Sequence, residues 1–426
     1  MTIARLLAPL ALGLLGACAP QLAANAPPGA LAVASAETRA PVTILVSIDA
    51  FRADYLTRGE TPTLARLAQT GVQSAMIPSF PSKTFPNHWA EVTGEYPDHS
   101  GMTANSFADP ARPDEKFTMA TTDPFYWNGA EPIWVTADKA GIRTGVMFWP
   151  GSSVGWGGKL VPHGYGRVEG GTWPDDWQAF DQNVTPVQRV NTVLDWLRRP
   201  ADIRPKLVLL YFDQVDTAGH EVGPNGAKVD AALRDVDGDI AMLLDGLRQM
   251  GQPANLIITA DHGMAEVSST RVVALDSILD PSDYTLVETG PYATLAPKPG
   301  REKALEAKLL APHDHMQCWR KGEIPARFHY GTNPRIPPYF CLAETGWQIF
   351  AKAPTSTYTG GNHGYDNRSP EMAALFIANG PAFRKDVTLP SFENVDVEPL
   401  LRRLLGLPQN PALDGKLGPV EGALAR

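Results

Sequence analysis

The sequence predicts an α/β fold with a mostly parallel central sheet, flanked by helices on both faces, and a smaller inserted cap subdomain. Continuous apolar runs alternate along the chain with segments of helical periodicity, which is typical of strands buried on both faces and the helices that cover them. Hydrophobic residues make up 43% of the 426 residues and charged residues 19%, which is enough for a large core. The stretch 275–359 interrupts this alternation and therefore predicts the insertion.

The N-terminus predicts export. Residues 1–17 contain one Arg and an apolar run too short to span a membrane, so we interpret them as a signal peptide. The sequence LGAC that ends at Cys18 resembles a bacterial lipoprotein box, whose cysteine is lipidated; an ordinary cleaved signal is the alternative. Residues 18–40, rich in Ala and Pro, are interpreted as a tether. We expect a periplasmic protein, or a lipoprotein attached to the outer membrane of a Gram-negative bacterium through Cys18.

The predicted domain, 41–426, opens on the apolar run VTILVSIDAF, which we expect to be the first strand. The other main predicted strands are TGVMFWPGS, KLVLLYFDQVD, ANLIITADHG and AALFIANG. Four segments are predicted to be helices: TPTLARLAQTG, with Thr61 or Thr63 as cap and Gly71 past its end; TPVQRVNTVLDWLRR, with Pro186 in its first turn; KVDAALRDVDGDIAMLLDGLRQMG, with apolar residues at helical spacing and a stop at Gly251; and the closing VDVEPLLRRLLGLP.

The segment 275–359, which we interpret as the cap subdomain, is rich in Pro and Gly. It has one long segment of helical periodicity, GREKALEAKLLA. It contains Cys318 and Cys341, the two cysteines that follow Cys18, which in an exported protein suggests a disulfide; a two-cysteine metal site is the alternative. The loop-rich stretch 106–175 is expected to form part of a pocket wall.

The net charge of −9 argues against a nucleic-acid duplex as an electrostatic partner. Small anions are still compatible with it, because a bound cation reverses the local field. No feature of the sequence predicts a protein partner.

Four clusters of acids and histidines follow predicted strands or lie in a Gly-rich loop. Each cluster alone is compatible with a helix cap, a surface pair or a loop histidine. Because ligands bind at the carboxyl ends of the strands of open α/β sheets, the four together predict two zinc-like ions held by three Asp and three His. The predicted ligands are Asp49, Asp216, His220, Asp261, His262 and His363. Asp213 is the alternative to Asp216, and we assign no role to His88, His99, His163, His313, His315 and His329.

Thr84, in PSKTFPNH, stands where a helix is predicted to begin. A hydroxyl at a helix N-terminus faces free backbone N–H groups and the positive end of the helix dipole. Thr84 could therefore cap the helix. A neighbouring divalent cation favours the alkoxide form of such a hydroxyl, so with the acid and histidine clusters we predict a nucleophile for phosphoryl transfer, and one residue can do both.

Five motifs in order carry a family resemblance. They are ILVSIDAFRADYL, PSFPSKTFPNHWAEVTGEYPDHSGMTANSF, VDTAGHEVGP, TADHGM and GNHGYDN. Together, from about Val42 to Leu407, they resemble the nucleotide pyrophosphatase/phosphodiesterase family of the alkaline phosphatase superfamily. The chain looks like the bacterial members, since it has no counterpart of the Cys-rich and nuclease-like domains that vertebrate members add.

The resemblance implies an alkaline phosphatase-like core with Thr84 as the catalytic nucleophile. It also implies two zinc sites. The ligands of the first would be Asp49, Thr84, Asp261 and His262. The second zinc would activate water for hydrolysis of the intermediate, and its ligands would be Asp216, His220 and His363.

The resemblance also implies three substrate-binding residues. Asn105 would donate to a phosphate oxygen. Phe85 and Trp177 would form the two walls of a slot that stacks a base or an aromatic leaving group. Relatives often have Tyr at the position of Trp177.

The expected function is a two-zinc phosphodiesterase or pyrophosphatase that releases nucleoside 5′-monophosphates from small nucleotide substrates through a covalent phospho-threonine. One alternative is a phosphomonoesterase, which needs added cationic contacts to phosphate, and Lys83 is the one basic residue beside Thr84. Another is a lysophospholipid or phosphocholine diesterase. The third is a surface lipoprotein that uses its metals structurally. The segment NSFADPARPDEKF and the cap are expected to set specificity.

Overall fold

The computed structural model describes residues 38–161 and 167–425. The predicted signal peptide, Cys18, His163 and all but the last three residues of the predicted tether lie outside the described residues. No helix within these ranges is long and apolar enough to cross a membrane.

Helices and strands alternate through most of the chain. The helices are α1 Pro62–Thr70, α2 Thr84–Thr93, α3 Pro97–Ser100, α4 Pro124–Trp127, α5 Ile133–Lys139, α6 Pro186–Arg198, α7 Gln214–Val222, α8 Ala227–Gln249, α9 Glu302–Leu309, α10 Val397–Leu405 and α11 Gly418–Glu421. The strands are β1 Val42–Ile48, β2 Val72–Met76, β3 Phe107–Asp109, β4 Arg112–Phe117, β5 Thr144–Met147, β6 Lys159–Leu160, β7 Val168–Glu169, β8 Asp176–Gln178, β9 Leu207–Phe212, β10 Ala254–Thr259, β11 Ala265–Ser268, β12 Val272–Ala274, β13 Tyr284–Glu288, β14 Tyr292–Pro297, β15 Met316–Arg320, β16 Tyr339–Ala343, β17 Gln348–Phe350, β18 Thr359–Asn362, β19 Ala374–Asn379 and β20 Val387–Thr388.

Eight strands form the central sheet in the order β20-β2-β19-β10-β1-β9-β5-β8. Strand β19 is antiparallel to both of its neighbours, and the other five pairings are parallel. The predicted fold class is therefore confirmed, with one strand reversed. Helix α8 contacts both α1 and α6, and α10 contacts both α2 and α5.

The central strands are apolar on both faces, as their sequences predict. Every residue of β1 and β9 is buried, and so are all but the first residue of β10. Val46 of β1 pairs with Ile258 of β10 on one side and with Leu210 of β9 on the other. This register ends the three strands at the same edge of the sheet.

The segment 275–359 contains a separate four-stranded antiparallel sheet in the order β13-β14-β16-β15. It has its own apolar cluster, in which Leu295, Leu305 and Leu309 are fully or almost fully buried. Cys318 of β15 and Cys341 of β16 are directly opposite each other and form a disulfide, which confirms the predicted bond.

Candidate active site

Acidic residues follow three neighbouring strands at one edge of the central sheet. Asp49 directly follows β1, and Asp261 stands two residues after β10. Asp216 and His220 lie on α7, which begins shortly after β9, and their spacing of four places them on one helical face, as predicted. The Oδ1 atom of Asp216 is 3.4 Å from the Nε2 atom of His220.

His363 reaches this edge through a two-stranded ribbon. Strand β11 pairs with β18 so that Ala265 is opposite Asn362, which places His363 beside the turn that carries His262. The rings of His262 and His363 are stacked with their centroids 3.6 Å apart. A Cβ atom at Gly361 would come within 2.4 Å of a carbonyl oxygen of α7, so glycine is required for this close approach.

The structure brings the six predicted ligands together. One group whose ligand atoms lie within 4.8 Å of one another is Asp216, His220 and His363, and a second is Asp49, Asp216 and His262. The Oδ2 atom of Asp261 lies 3.0 Å from the Nε2 atom of His262, so Asp261 joins the second group. Asp216 belongs to both groups.

The carboxylates are arranged as a cation would require. Within the described residues, Asp49 Oδ1, Asp216 Oδ1 and Asp261 Oδ2 are buried and have no hydrogen-bond partner. Burial and the charges of the neighbouring carboxylates raise the pKa of Asp49, and burial raises the pKa of Asp216. Burial acts in the same direction on Asp261, but electrostatic and hydrogen-bond interactions with His262 and His88 outweigh it and hold the pKa of Asp261 well below its usual range. Buried carboxylate oxygens that lack a hydrogen bond are costly, and a divalent cation relieves that cost.

The histidines are oriented for metal binding as well. The Nδ1 atoms of His220, His262 and His363 lie 2.9–3.0 Å from the backbone carbonyl oxygens of Gly361, Gly263 and Ser82. These contacts favour the Nδ1–H tautomer, which leaves each Nε2 atom available as a ligand. Three carboxylates and three imidazoles suit zinc-like ions.

Thr84 is the first residue of α2, as the sequence predicts, and its side chain is 7% exposed. Its Oγ1 atom lies 3.4 Å from the Nε2 atom of His262, so the hydroxyl is at the second ligand group. Lys83 precedes it with its Nζ atom 3.5 Å from Asn362 Oδ1, and burial lowers the pKa of this lysine to about 8. The helix N-terminus therefore presents the Thr84 hydroxyl at the metal-type side chains.

A cavity of about 600 Å³ opens over this cluster. Asn105 lines it, and its Oδ1 atom accepts a hydrogen bond of 2.9 Å from the backbone N–H of Phe85, which leaves the Asn105 amide N–H groups available to a ligand. Met119 and Ala120 also line it, so the stretch 106–175 forms part of the wall, as predicted.

The aromatic wall differs from the expectation. Trp177 is 44% exposed, lies on the edge strand β8 and is not among the cavity-lining residues. Phe180, three residues further on, lines the cavity instead. Phe85 is fully buried behind it, with the Phe85 and Phe180 ring centroids 5.4 Å apart. The structure therefore does not bring Trp177 to the cavity, because the chain turns inward only after β8.

Two contacts at the ligand groups were not predicted. Tyr211, within the apolar strand β9, donates its hydroxyl hydrogen to Asp49 Oδ2. His88 Nδ1 lies 3.4 Å from Asp261 Oδ2. The spacing of four between Thr84 and His88 on one helix was a usable signal for His88, whereas Tyr211 has the pattern of a core residue. Asp213, the alternative to Asp216, is paired with Arg189 at 2.7 Å.

Comparisons with known proteins identify the family. A family model described as type I phosphodiesterase/nucleotide pyrophosphatase matches residues 43–366. The chain is 36% identical over 375 residues to the bis(5′-adenosyl)-triphosphatase of Xenopus laevis, covering 87% of this chain and 79% of the relative. It is 33% identical over 374 residues to human ectonucleotide pyrophosphatase/phosphodiesterase family member 5, covering 86% and 75%.

Solved structures give the same result. The structure of an inactive variant of murine ectonucleotide pyrophosphatase/phosphodiesterase 5 in complex with AMP has a TM-score of 0.83 and 32% identity, and the match covers 91% of this chain and all of that one. The human counterpart has the same TM-score and identity, with 90% of this chain covered. The family resemblance and the alkaline phosphatase-like core are confirmed. The chain therefore belongs to the type I phosphodiesterase/nucleotide pyrophosphatase family and is a metal-dependent phosphodiester hydrolase.

Proposed function

We propose that this chain is an exported two-zinc enzyme that hydrolyses nucleotide phosphodiester or pyrophosphate bonds and releases nucleoside 5′-monophosphates. The observation that carries the proposal is the position of the Thr84 hydroxyl, at a helix N-terminus and 3.4 Å from His262, beneath the cavity. The relative described with AMP supports this product class, and the bis(5′-adenosyl)-triphosphatase supports dinucleotide substrates.

In the proposed reaction Thr84 Oγ1 attacks phosphorus, and the bond from phosphorus to the leaving oxygen breaks as the new bond forms. Water then displaces Thr84 from the covalent phospho-threonine and releases the monophosphate. Asn105 donates to a phosphate oxygen from the wall of the cavity. Two divalent cations, when bound, would lower the pKa of coordinated hydroxyls and neutralise developing charge.

The six acids and histidines are the proposed ligands of these ions. Asp49, Asp261 and His262 would hold the ion next to Thr84, and Asp216, His220 and His363 would hold the other. The buried carboxylate oxygens without hydrogen bonds support this assignment.

We propose that the nucleobase or aromatic leaving group packs on Phe180, with Phe85 supporting that ring from behind. None of the described cavity-lining residues is Lys or Arg, which favours a diester over a monoester with its extra negative charge.

Substrate profiling tests the function. We expect a higher kcat/KM for a nitrophenyl ester of a nucleoside 5′-monophosphate than for nitrophenyl phosphate or glycerophosphocholine. Mass spectrometry of acid-quenched enzyme should find the nucleotidyl group on the peptide that contains Thr84. Preference for the monoester, or for glycerophosphocholine, would replace the proposed substrate class.

We also propose that residues 1–17 direct export, that Cys18 is lipidated and that 275–359 acts as a cap. The Cys318–Cys341 disulfide supports an oxidising compartment. Labelling with a fatty-acid analogue tests the lipid: wild type should be labelled and a Cys18→Ser variant should not. Equal labelling of both would refute lipidation at Cys18.

A further inference from the structure

We propose that Arg335, within the segment 275–359, is a positioning residue for Asn105. The inference rests on the proposed role of Asn105 as a phosphate donor. It concerns an arm, defined as residues 330–335, which contacts the chain on both sides of Asn105.

The guanidinium of Arg335 connects four points of the main domain. Its Nη1 atom donates to the backbone carbonyl oxygens of Gly101 at 2.8 Å and Tyr126 at 2.9 Å. Its Nε atom donates to Asp109 Oδ2 at 2.7 Å, and its Nη2 atom donates to the carbonyl oxygen of Phe125 at 3.3 Å. Gly101 comes four residues before Asn105 and Asp109 four residues after it, so one side chain fixes both ends of the loop that carries the donor.

This site is built for a planar guanidinium. The side chains of Arg335 and Asp109 are 10% and 11% exposed, and the guanidinium carbon lies 5.1 Å from the centroid of the Phe107 ring. Gly101 has φ of +78°, and a Cβ atom there would come within 2.9 Å of Arg335 Nη1. A lysine has one ammonium group and cannot reach all four acceptors at once.

The rest of the arm contacts the same part of the chain. The hydroxyl of Tyr330 donates to the carbonyl oxygen of Thr103 at 3.0 Å, two residues before Asn105. Asp98 accepts hydrogen bonds of 2.9 Å from the backbone N–H groups of Gly331, Thr332 and Asn333. These bonds fix the backbone of the arm that precedes Arg335. Both the backbone that leads to Arg335 and its guanidinium are therefore held in place.

The position of Asn105 then depends on two supports. One is its own bond to the N–H of Phe85 on the nucleophile helix, and the other is the loop 101–109 that Arg335 fixes. A displacement of about 1 Å in a group that contacts the reacting phosphate can lower the rate by about 100-fold. Arg335 thus acts on the reaction through Asn105, although it does not line the cavity.

A double-mutant cycle tests this inference with the zinc-loaded enzyme and a nitrophenyl nucleotide diester. We expect Arg335→Lys to lower kcat by about 10-fold or more in the wild-type background. In an Asn105→Ala background the same substitution should lower kcat by less than about 2-fold, since the donor that it positions is gone. A purely structural role would lower kcat equally in both backgrounds.

The matched control is Arg402→Lys. Arg402 is also a buried arginine that bonds a carboxylate, Glu398, and a backbone carbonyl, but it lies on α10. It should have the same small effect in both backgrounds. If Arg335→Lys does not fold, Asp109→Asn is the substitute, since it removes the negative charge that faces Arg335 while keeping an oxygen acceptor. We expect it to lower kcat by a smaller factor in the wild-type background, and again by less in the Asn105→Ala background.

Three results would overturn the inference. Equal losses from the arginine substitution in both backgrounds, or no loss in the wild-type background, would overturn it while leaving the proposed function intact. Full activity of Asn105→Ala alone would remove the donor role from the proposed function and the inference with it.

Discussion

The Oγ1 atom of Thr84 and the Nε2 atom of His262 lie 3.4 Å apart, although 178 residues separate them in the chain. Thr84 is there because α2 begins at this edge of the sheet, and His262 is there because β10 ends at it. This contact between two distant elements supports the proposed role of Thr84.

Removing the Thr84 hydroxyl should abolish turnover. We expect Thr84→Ala to lower kcat by more than about 10³-fold, because the covalent step loses its nucleophile. Thr93→Ala is a suitable control, since Thr93 is buried at the other end of α2 and its hydroxyl bonds the carbonyl oxygen of Trp89. Steady-state kinetics with a nitrophenyl diester measure both, and an active Thr84→Ala enzyme would contradict the mechanism.

His220→Ala should remove one ion. We expect the zinc content to fall from about two ions per chain to about one, with loss of turnover, because the group of Asp216 and His363 loses a ligand. Elemental analysis after gel filtration measures this. His99→Ala, which removes a surface histidine paired with Asp414, should keep both ions. Unchanged zinc content in His220→Ala would exclude His220 as a ligand.

Tyr211→Phe should weaken metal binding without changing the fold. The Tyr211 hydroxyl orients Asp49, and loss of such a supporting hydrogen bond costs about 10–100-fold in metal affinity. Competition with a zinc chelator measures the affinity. Tyr365→Phe removes a buried hydroxyl that donates to the carbonyl oxygen of Trp347, and it should leave the affinity unchanged. Equal affinities in both variants would mean that the Tyr211 bond is only structural.

Substitution of Phe180 should lower kcat/KM, whereas substitution of Trp177 should not. Phe180→Ala should lower kcat/KM for nucleotide diesters by about 5- to 150-fold, the range expected for loss of a stacked base, while Trp177→Ala should change it by less than about 2-fold. The two variants serve as each other's control. A larger effect at Trp177 would restore the expectation drawn from the family.

The stability of the protein should depend on pH through Glu398. Burial, opposed by Arg402, raises the pKa of Glu398 from 4.5 to about 7. The folded state therefore binds the proton more tightly than the unfolded state, and the free energy of unfolding should fall as pH rises from about 4.5 to about 7. Glu398 by itself should contribute at most about 1.4 kcal/mol per pH unit to this slope.

Urea denaturation across this pH range measures the effect. Glu398→Gln should flatten the slope, and Glu302→Gln, at an exposed position on α9, should leave it unchanged. A slope that is the same in Glu398→Gln and wild type would show that this carboxyl does not titrate between the two states.

The sequence was sufficient to predict the strands and the metal-type residues at their ends. The runs over β1, β9 and β10 are apolar on both faces, and only the acids and histidines that follow them are out of place in a core. Helix limits were predictable where local signals exist, as at α6, where Thr185 and Gln188 form a capping box.

Other features depend on tertiary structure and have no local signal. A fully buried strand has the same apolar pattern in either direction, so the reversal of β19 could not be predicted. Trp177 and Phe180 are both aromatic and three residues apart, and only the bend after β8 decides which one faces the cavity. Tyr211 stands within a continuous apolar run, so the sequence contains no signal for its contact with Asp49.

The ribbon of β11 and β18 has a consequence for biosynthesis. His363 is supplied by a segment that emerges from the ribosome long after Asp49, once the whole of 275–359 has been translated. No nascent or prematurely terminated chain that lacks residue 363 can complete the group formed by Asp216, His220 and His363. Full metal loading would therefore require a chain translated at least through residue 363, and a proteolytic nick that frees β18 should release an ion before the central sheet unfolds.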